Sequence, residues 1–175
     1  MLHKLPRYDT ALLIGDERVT RFSDTLSGIL QAAGWFSGRR VDARSVARML
    51  TSRGYQVSPR AVEVLEEFHG LKLFNPQQSA VRLMFTIDTM VELFSIRDLS
   101  LFEALIGESC CLVAVSNPAY TFITPSGRGV FLDQDWEYFA IDSCFDSLLE
   151  QICAERQRFL QRTPIDPHHR PAEFR

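Results

Sequence analysis

The fold is decided by residues 22–73, which read FSDTLSGILQAAGWFSGRRVDARSVARMLTSRGYQVSPRAVEVLEEFHGLKL. The stretch contains three helical patterns, in which apolar residues recur three and four positions apart and so share one face. Each pattern ends at a glycine, which enters the left-handed conformation at a helix end without strain. The three glycines are Gly34, Gly54 and Gly70. We therefore predict three short helices that pack through their apolar faces.

Each of the three patterns is preceded by a polar residue that can accept a hydrogen bond from the first helical turn. The first pattern has two candidates, Thr20 and Ser23, and the second has Asp42. The third has Ser58, followed by Pro59. Proline suits the first helical position because the N–H that it lacks has no partner there.

Beyond residue 73 the chain changes to short β-prone runs and two further helical patterns. Residues 120–124 and 129–133 predict a β-hairpin, because the Pro-Ser-Gly sequence between them is turn-forming. Two more β-prone runs cover 80–88 and 110–116, and helical spacing recurs over 96–106 and 142–160.

These patterns predict an α+β protein with a mixed or antiparallel sheet and helices packed on one side and at the ends. We divide the chain into an N-terminal segment (1–21), a single domain (22–160) and a C-terminal tail (161–175). In the N-terminal segment, 11–14 is a candidate packed strand. Within the domain, 90–95 suits either a strand or a helical turn. The tail has three prolines and few apolar residues, which predicts a flexible attachment.

Composition narrows the classes of function. The chain of 175 residues has a net charge of −3, which does not favour direct binding of nucleic acid through a basic face. The same charge suits a basic protein partner, such as a nuclease toxin. No stretch resembles the apolar core of a signal peptide or approaches the ~18 apolar residues of a membrane span. We therefore expect a cytoplasmic protein without membrane contact.

The cysteines do not predict a metal or redox site. Cys110 and Cys111 are neighbours, and Cys144 and Cys153 fall in or near a helical pattern. None of them has the paired CxxC spacing of a zinc site. Because no secretion signal is apparent, we expect four reduced and mostly buried thiols.

Other candidate sites have simpler structural interpretations. His168 and His169 lie near Asp166, but a proline-rich tail gives metal ligands no fixed support. His69 falls at a helix end and is expected to be structural. The run at 126–129 joins two strands, so it predicts a turn and not a phosphate loop. With no nucleophile–base pair or recognised catalytic motif, we predict no catalysis, no cofactor and no metal.

Two parts of the opening stretch, LQAAGWFSGRRVD and RGYQVSPRAVEVLEEFHGL, resemble the third group of the SUKH superfamily. That group has a Gly-Trp junction with a following Gly-Arg, then a glycine–aromatic step and a Leu-x-x-Phe-Gly-Gly-Leu segment. His69 departs from the usual glycine. The resemblance covers roughly 22–153. Its motif residues, which we expect to be structural, are Gly34, Trp35, Gly38, Arg39, Gly54, Phe68, Gly70 and Leu71.

The resemblance implies an immunity protein that binds and neutralises a cognate bacterial toxin in a polymorphic toxin system. The main alternative is a regulatory or scaffold module of the same fold with an endogenous partner. A gene neighbourhood without a toxin would favour that alternative. An enzyme is the least favoured class. The sequence does not indicate the oligomeric state.

Acidic and aromatic residues alternate after the second strand of the predicted hairpin. Carboxylates beside aromatic side chains can steer a basic partner and then anchor it. The other interpretation is a solvated loop whose aromatic side chains cover the core. The candidate partner-binding residues are Asp133, Asp135, Trp136, Glu137, Tyr138 and Asp142.

Two other groups of charged residues are weaker candidates for a binding site. Arg39 and Arg40 could anchor a carboxylate or phosphate, but we favour a role in capping helix carbonyls. Glu63, Glu66 and Glu67 form a second acidic strip, which we interpret as a solvated helix face.

Overall fold

The structure of the protein, a computed structural model, describes residues 21–75, 82–87, 94–116, 119–153 and 161–175. The α-helices in these ranges are α1 (Asp24–Ala32), α2 (Arg44–Ser52), α3 (Pro59–Phe68), α4 (Ile96–Ile106) and α5 (Phe145–Cys153). The strands are β1 (Lys72–Phe74), β2 (Arg82–Met84), β3 (Cys111–Ser116), β4 (Ala119–Ile123), β5 (Gly129–Asp133), β6 (Tyr138–Asp142) and β7 (Thr163–Pro164). The predicted helices are all present.

The strands form one sheet in chain order, and every neighbouring pair is antiparallel. The predicted hairpin consists of β4 and β5, in which Phe122 pairs with Val130 and Ile123 with Gly129. β3 and β5 are buried along their whole length, so both faces of the sheet are covered at its centre. The α+β class is confirmed, with an antiparallel sheet.

Helices contact both faces of the sheet. On one face, α5 lies so close to β5 that a Cβ at Gly129 would meet the Cβ of Leu148 at 2.8 Å. On the other face, Phe102 of α4 packs against Phe122, with 5.2 Å between ring centroids. These faces are opposite because Gly129 pairs with Ile123, the neighbour of Phe122. The helices were expected to pack on one side of the sheet, but α4 lies on the face opposite α5.

The polar residues before the first and third helices act as predicted. The hydroxyl oxygens of Ser23 and Ser58 each accept a backbone N–H of the first turn at 3.2 Å. At α2 the capping residue is Ala43, not Asp42, and it has no side-chain acceptor. The Asp42 carboxylate still accepts the N–H of Arg44 at 3.0 Å. Asp42 therefore satisfies a backbone N–H at the start of α2, from one position before the capping residue.

Residues 161–175 pack on the domain, in contrast to the flexible tail that their composition predicts. Thr163–Pro164 pair with β6, and two short 3₁₀ turns follow. Only 2% of Ile165 is exposed, and Pro171 is also buried. These two anchors are six positions apart in a polar sequence, so they produce no recognisable periodicity.

Three predicted features fall outside the described residues: the candidate strand at 11–14, most of 90–95 and the continuation of the last helix through 154–160. Among the helices that the structure does describe, none combines the length and apolar character needed to cross a membrane.

Candidate functional site

The predicted acidic cluster lies on the turn between β5 and β6 and on β6 itself. The Asp133 carboxylate accepts the N–H of Asp135 at 2.8 Å, and the Asp133 carbonyl accepts the N–H of Trp136 at 3.1 Å. Trp136 has a φ of 59°, a conformation that costs a non-glycine residue about 1–3 kcal/mol. The turn therefore has a defined conformation, fixed by internal hydrogen bonds.

The Trp136 side chain lies in the core beneath this turn. It is 1% exposed, and its ring stacks on Phe94 with 5.8 Å between centroids. A second ring, that of Phe102, packs edge-to-face on the indole with 5.9 Å between centroids. Burial of this large apolar surface offsets the strain of the backbone. The structure thus places Trp136 as a support for the turn, without a surface to offer a partner.

Two of the predicted acidic residues are engaged within the domain. Asp133 is 8% exposed, and burial raises the pKa of its carboxyl group despite the hydrogen bond from the Asp135 N–H. Asp142 accepts hydrogen bonds from Gln151 Nε2 and, at 3.2 Å, from the Ser143 hydroxyl. These contacts give both carboxylates a role in fixing local structure.

The other three predicted residues keep side-chain surface that is accessible to solvent. Asp135 and Glu137 are exposed, and Tyr138 is half-buried at the start of β6. The Tyr138 ring stacks on Phe131 at 6.1 Å, and the Arg162 guanidinium lies 4.5 Å from the Tyr138 ring centroid. We call Asp135, Glu137 and Tyr138 the acidic turn surface. It is the part of the predicted site that a partner protein can reach.

The polar motif residues of the first half meet at the end of α3. Trp35 Nε1 donates to the Glu67 carboxylate at 3.0 Å. The Arg39 guanidinium donates to the carbonyl of His69 at 2.9 Å and to the carbonyl of Glu67. Arg21 also binds the Glu67 carboxylate, at 2.7 Å. Arg39 therefore caps helix carbonyls, as predicted, whereas Arg40 binds the Glu66 carboxylate at 2.9 Å. Glu67 was predicted to lie on a solvated face, but it is a half-buried structural acceptor.

The motif glycines shape the ends of the helices. Gly34 and Gly54 have φ values of 92° and 90°, which only glycine adopts readily. In both cases the next residue, Trp35 or Tyr55, donates its N–H to the carbonyl five positions earlier, closing the helix end. The remaining motif residues also have structural positions: Gly38 and Gly70 have positive φ, and Phe68 and Leu71 are buried.

A charged cleft beside α3 and α5 was not anticipated from the sequence. Arg21 binds Asp146 at 2.6 Å in addition to Glu67. The hydrogen bond with Asp146 is the main cause of the raised pKa of Arg21. The cleft has a volume of about 300 Å³ and is lined in part by Arg60 and Ser126. Arg21 is 46 positions from Glu67 and 125 positions from Asp146 in the chain, so no local pattern could indicate that these charges meet.

The cysteines follow the prediction of free and mostly buried thiols. All four are free; Cys110, Cys111 and Cys153 are buried and Cys144 is exposed. Burial raises the pKa of all three buried thiols, and that of Cys111 and Cys153 to about 12. Such thiols are unreactive at neutral pH. In the part of the chain that the structure describes, no group of His, Cys, Asp or Glu side chains is placed to hold a metal ion.

The serine- and glycine-rich turn between β4 and β5 already binds a carboxylate of its own domain. Glu108 accepts the Ser126 N–H at 3.1 Å and the Ser126 hydroxyl at 3.2 Å. Arg128 donates to the same carboxylate. Burial alone would raise the pKa of Glu108, but these hydrogen bonds lower it. The turn is thus a structural element, as predicted.

Comparison with known proteins and protein families identifies the family of this chain. No curated protein and no solved structure matches the chain. A family model, that of the SUKH-3 immunity proteins, matches residues 22–153. The matched range includes Trp35, Arg39 and Glu67 as well as the acidic turn surface, and it ends before residues 161–175. Because the match covers most of the chain, this protein belongs to the SUKH-3 immunity protein family.

Proposed function

We propose that the protein is an immunity protein that binds a cognate bacterial toxin in a one-to-one complex and blocks its active site or substrate channel. The observation that carries this proposal is the family match over 22–153. Neutralisation by binding requires affinity but no turnover. A nanomolar dissociation constant corresponds to about −12 kcal/mol, which a few buried aromatic contacts and desolvated charge pairs can supply.

We further propose that the acidic turn surface contacts the toxin. Asp135 and Glu137 project from a turn that is already fixed by the Asp133 hydrogen bonds and the buried Trp136 ring. A preorganised surface loses little conformational entropy when it binds. Tyr138 adds an aromatic ring directly after Glu137 in the chain, and an aromatic ring with a neighbouring carboxylate favours binding of a basic side chain.

The expected partner is therefore a toxin with a basic face, such as a nuclease domain. Two exposed carboxylates raise the association rate with such a partner at low ionic strength, and salt screens this effect. We propose that binding takes place in the cytoplasm of the toxin-producing cell.

The proposal can be tested by co-expression with the toxin domain encoded by the adjacent reading frame. Wild-type protein should restore growth of cells that express the domain. The double variant Asp135→Lys/Glu137→Lys should protect poorly at equal expression. The matched control, Glu63→Lys/Glu66→Lys, makes the same change in charge on α3 and should still protect. A lack of protection by wild-type protein would contradict the immunity function, and equal protection by all three would remove the acidic turn surface from the interface.

A further inference from the structure

The outer edge of β6 is occupied by a short segment of the same chain. Residues 161–165, which we call the strap, include β7, and Tyr138 pairs with Pro164 while Phe139 pairs with Thr163. Beyond this pairing, the Ile165 N–H donates to the Glu137 carbonyl at 3.1 Å. The strap therefore extends the sheet next to the acidic turn surface.

Two side chains of the strap, Arg162 and Ile165, pack on the domain. The Arg162 guanidinium lies 4.5 Å from the Tyr138 ring centroid, and its charge opposes the rise in the pKa of Asp133. Three positions later, Ile165 is 2% exposed. The intervening Thr163 and Pro164 are exposed. The site thus accepts a basic residue over an aromatic ring and an aliphatic residue in a buried position.

β7, the strand within the strap, is the shortest of the described strands. β7 has two residues, whereas β6 has five. One of the two is Pro164, which has no N–H to donate to the sheet. Short edge strands of this kind open locally at much lower free energy than the centre of a sheet, and an open edge can accept another extended segment.

We propose that the edge of β6 is a strand-exchange site at which an extended segment of the toxin replaces the strap. That segment would contain a basic residue followed three positions later by an aliphatic one, as in Arg162–Ile165. This inference rests on the proposed function and specifies how the toxin is recognised. Backbone hydrogen bonds to β6 contribute affinity, and the Tyr138 ring with the adjacent Glu137 carboxylate selects the basic residue.

The first experiment tests the exchange without a toxin. The acceptor is the full-length Ile165→Asp variant, in which a carboxylate cannot occupy the buried position without a large desolvation cost. The probe is a fluorescein-labelled synthetic peptide of residues 161–175. We expect saturable binding by fluorescence anisotropy, at least tenfold tighter than to the wild-type protein, whose own strap competes. A peptide with the same Ile165→Asp change is the matched control and should not bind. Equal binding of both peptides, or no binding to a folded acceptor, would overturn the inference.

Hydrogen exchange on the wild-type protein keeps the proposal testable if the variant does not fold. The Ile165 amide should exchange at least tenfold faster than the amide of Phe131 in the central strand β5. Exchange of both amides at the same slow rate would mean that the strap opens only when the whole domain unfolds, and would overturn the inference.

A competition experiment separates this inference from the proposed function. The toxin domain is added to the peptide complex of the Ile165→Asp variant. Displacement of the peptide supports strand exchange. Toxin binding without displacement overturns the exchange site and leaves the immunity function intact. If the toxin binds neither this variant nor the wild-type protein, both proposals fail.

Discussion

The end of α3 and the β5–β6 turn both combine carboxylates with a tryptophan, yet they use them differently. At the end of α3, the Glu67 carboxylate accepts hydrogen bonds from Trp35 and Arg21. On the turn, the Trp136 side chain is buried and takes no part in the exposed surface. The Asp135 and Glu137 side chains have no hydrogen-bond or ion-pair partner among the described residues. Charges with partners inside the domain are therefore structural, whereas exposed charges on a rigid turn are the candidates for recognition.

This difference also separates the motif that identifies the family from the surface that we propose meets the toxin. The motif residues fix helix ends and core contacts, so they determine the fold. Asp135 and Glu137 are exposed, so they contribute little to the core and can vary without loss of the fold. A family whose members bind different toxins would require this separation.

The largest expected effect on stability comes from replacing Trp136, whose buried ring supports the β5–β6 turn. Trp136→Ala should reduce the free energy of unfolding by about 3–5 kcal/mol, because it removes a fully buried indole and leaves a cavity. Urea denaturation followed by circular dichroism measures the loss. Glu137→Ala, at the next and exposed position, is the control and should change stability by less than about 0.5 kcal/mol. A loss below about 1 kcal/mol for Trp136→Ala would contradict the buried position.

At the end of α3, the expected effect is smaller. Arg39→Ala should cost about 1–3 kcal/mol, because the carbonyls of Glu67 and His69 lose a charged donor. Arg40→Ala removes only an exposed ion pair with Glu66 and should cost less than about 1 kcal/mol. Equal losses for the two arginine variants in the same urea experiment would show that Arg39 does not act as a cap.

The predicted start of α3 allows a finer test of local structure. Ser58→Ala should cost about 1 kcal/mol, since its hydroxyl caps the N–H of Ala61. Ser45→Ala, on the exposed side of α2, should be neutral or slightly stabilising because alanine is the better helix former. Thermal unfolding of both variants provides the comparison. A neutral Ser58→Ala would contradict the capping role.

The smallest expected effect concerns the buried carboxyl of the turn. The pKa of Asp133 is raised in the folded state, so the folded protein binds its proton more tightly and the ionised group lowers stability above the folded-state pKa. Asp133→Asn retains an oxygen that can accept the Asp135 N–H and should stabilise the protein at neutral pH. The gain should disappear below the unfolded-state pKa of about 3.9. Denaturation as a function of pH tests this; a gain that persists at low pH would assign it to another cause.

Local signals accounted for much of the fold. Ser58-Pro59 and the glycines at 34, 54 and 70 are short-range features, and the structure contains the helices that they predict. Contacts between residues that are far apart in the chain could not be predicted from such short-range features. Arg21 meets Asp146 across 125 positions, and α4 covers the face opposite α5 because of the sheet's alternation, which a list of elements does not reveal.

The candidate site was predicted in composition but not in detail. The sequence places Asp133, Trp136 and Glu137 close together, yet it cannot tell which of them face the core. The positive φ at Trp136 turns its ring inward, and the Asp133 carboxylate closes the turn. The docking of 161–165 on β6 was missed because its two contact residues, Arg162 and Ile165, are isolated in a proline-containing segment.

The most direct test of the central claim is isothermal titration calorimetry with the purified toxin domain from the adjacent reading frame. We predict one-to-one binding to the wild-type protein with a nanomolar dissociation constant. Asp135→Lys/Glu137→Lys should weaken binding by at least a hundredfold, whereas Glu63→Lys/Glu66→Lys should leave it within a fewfold of wild type. Tight binding that is equally insensitive to both double variants would contradict recognition through the acidic turn surface, and the absence of binding to the wild-type protein would contradict the immunity function.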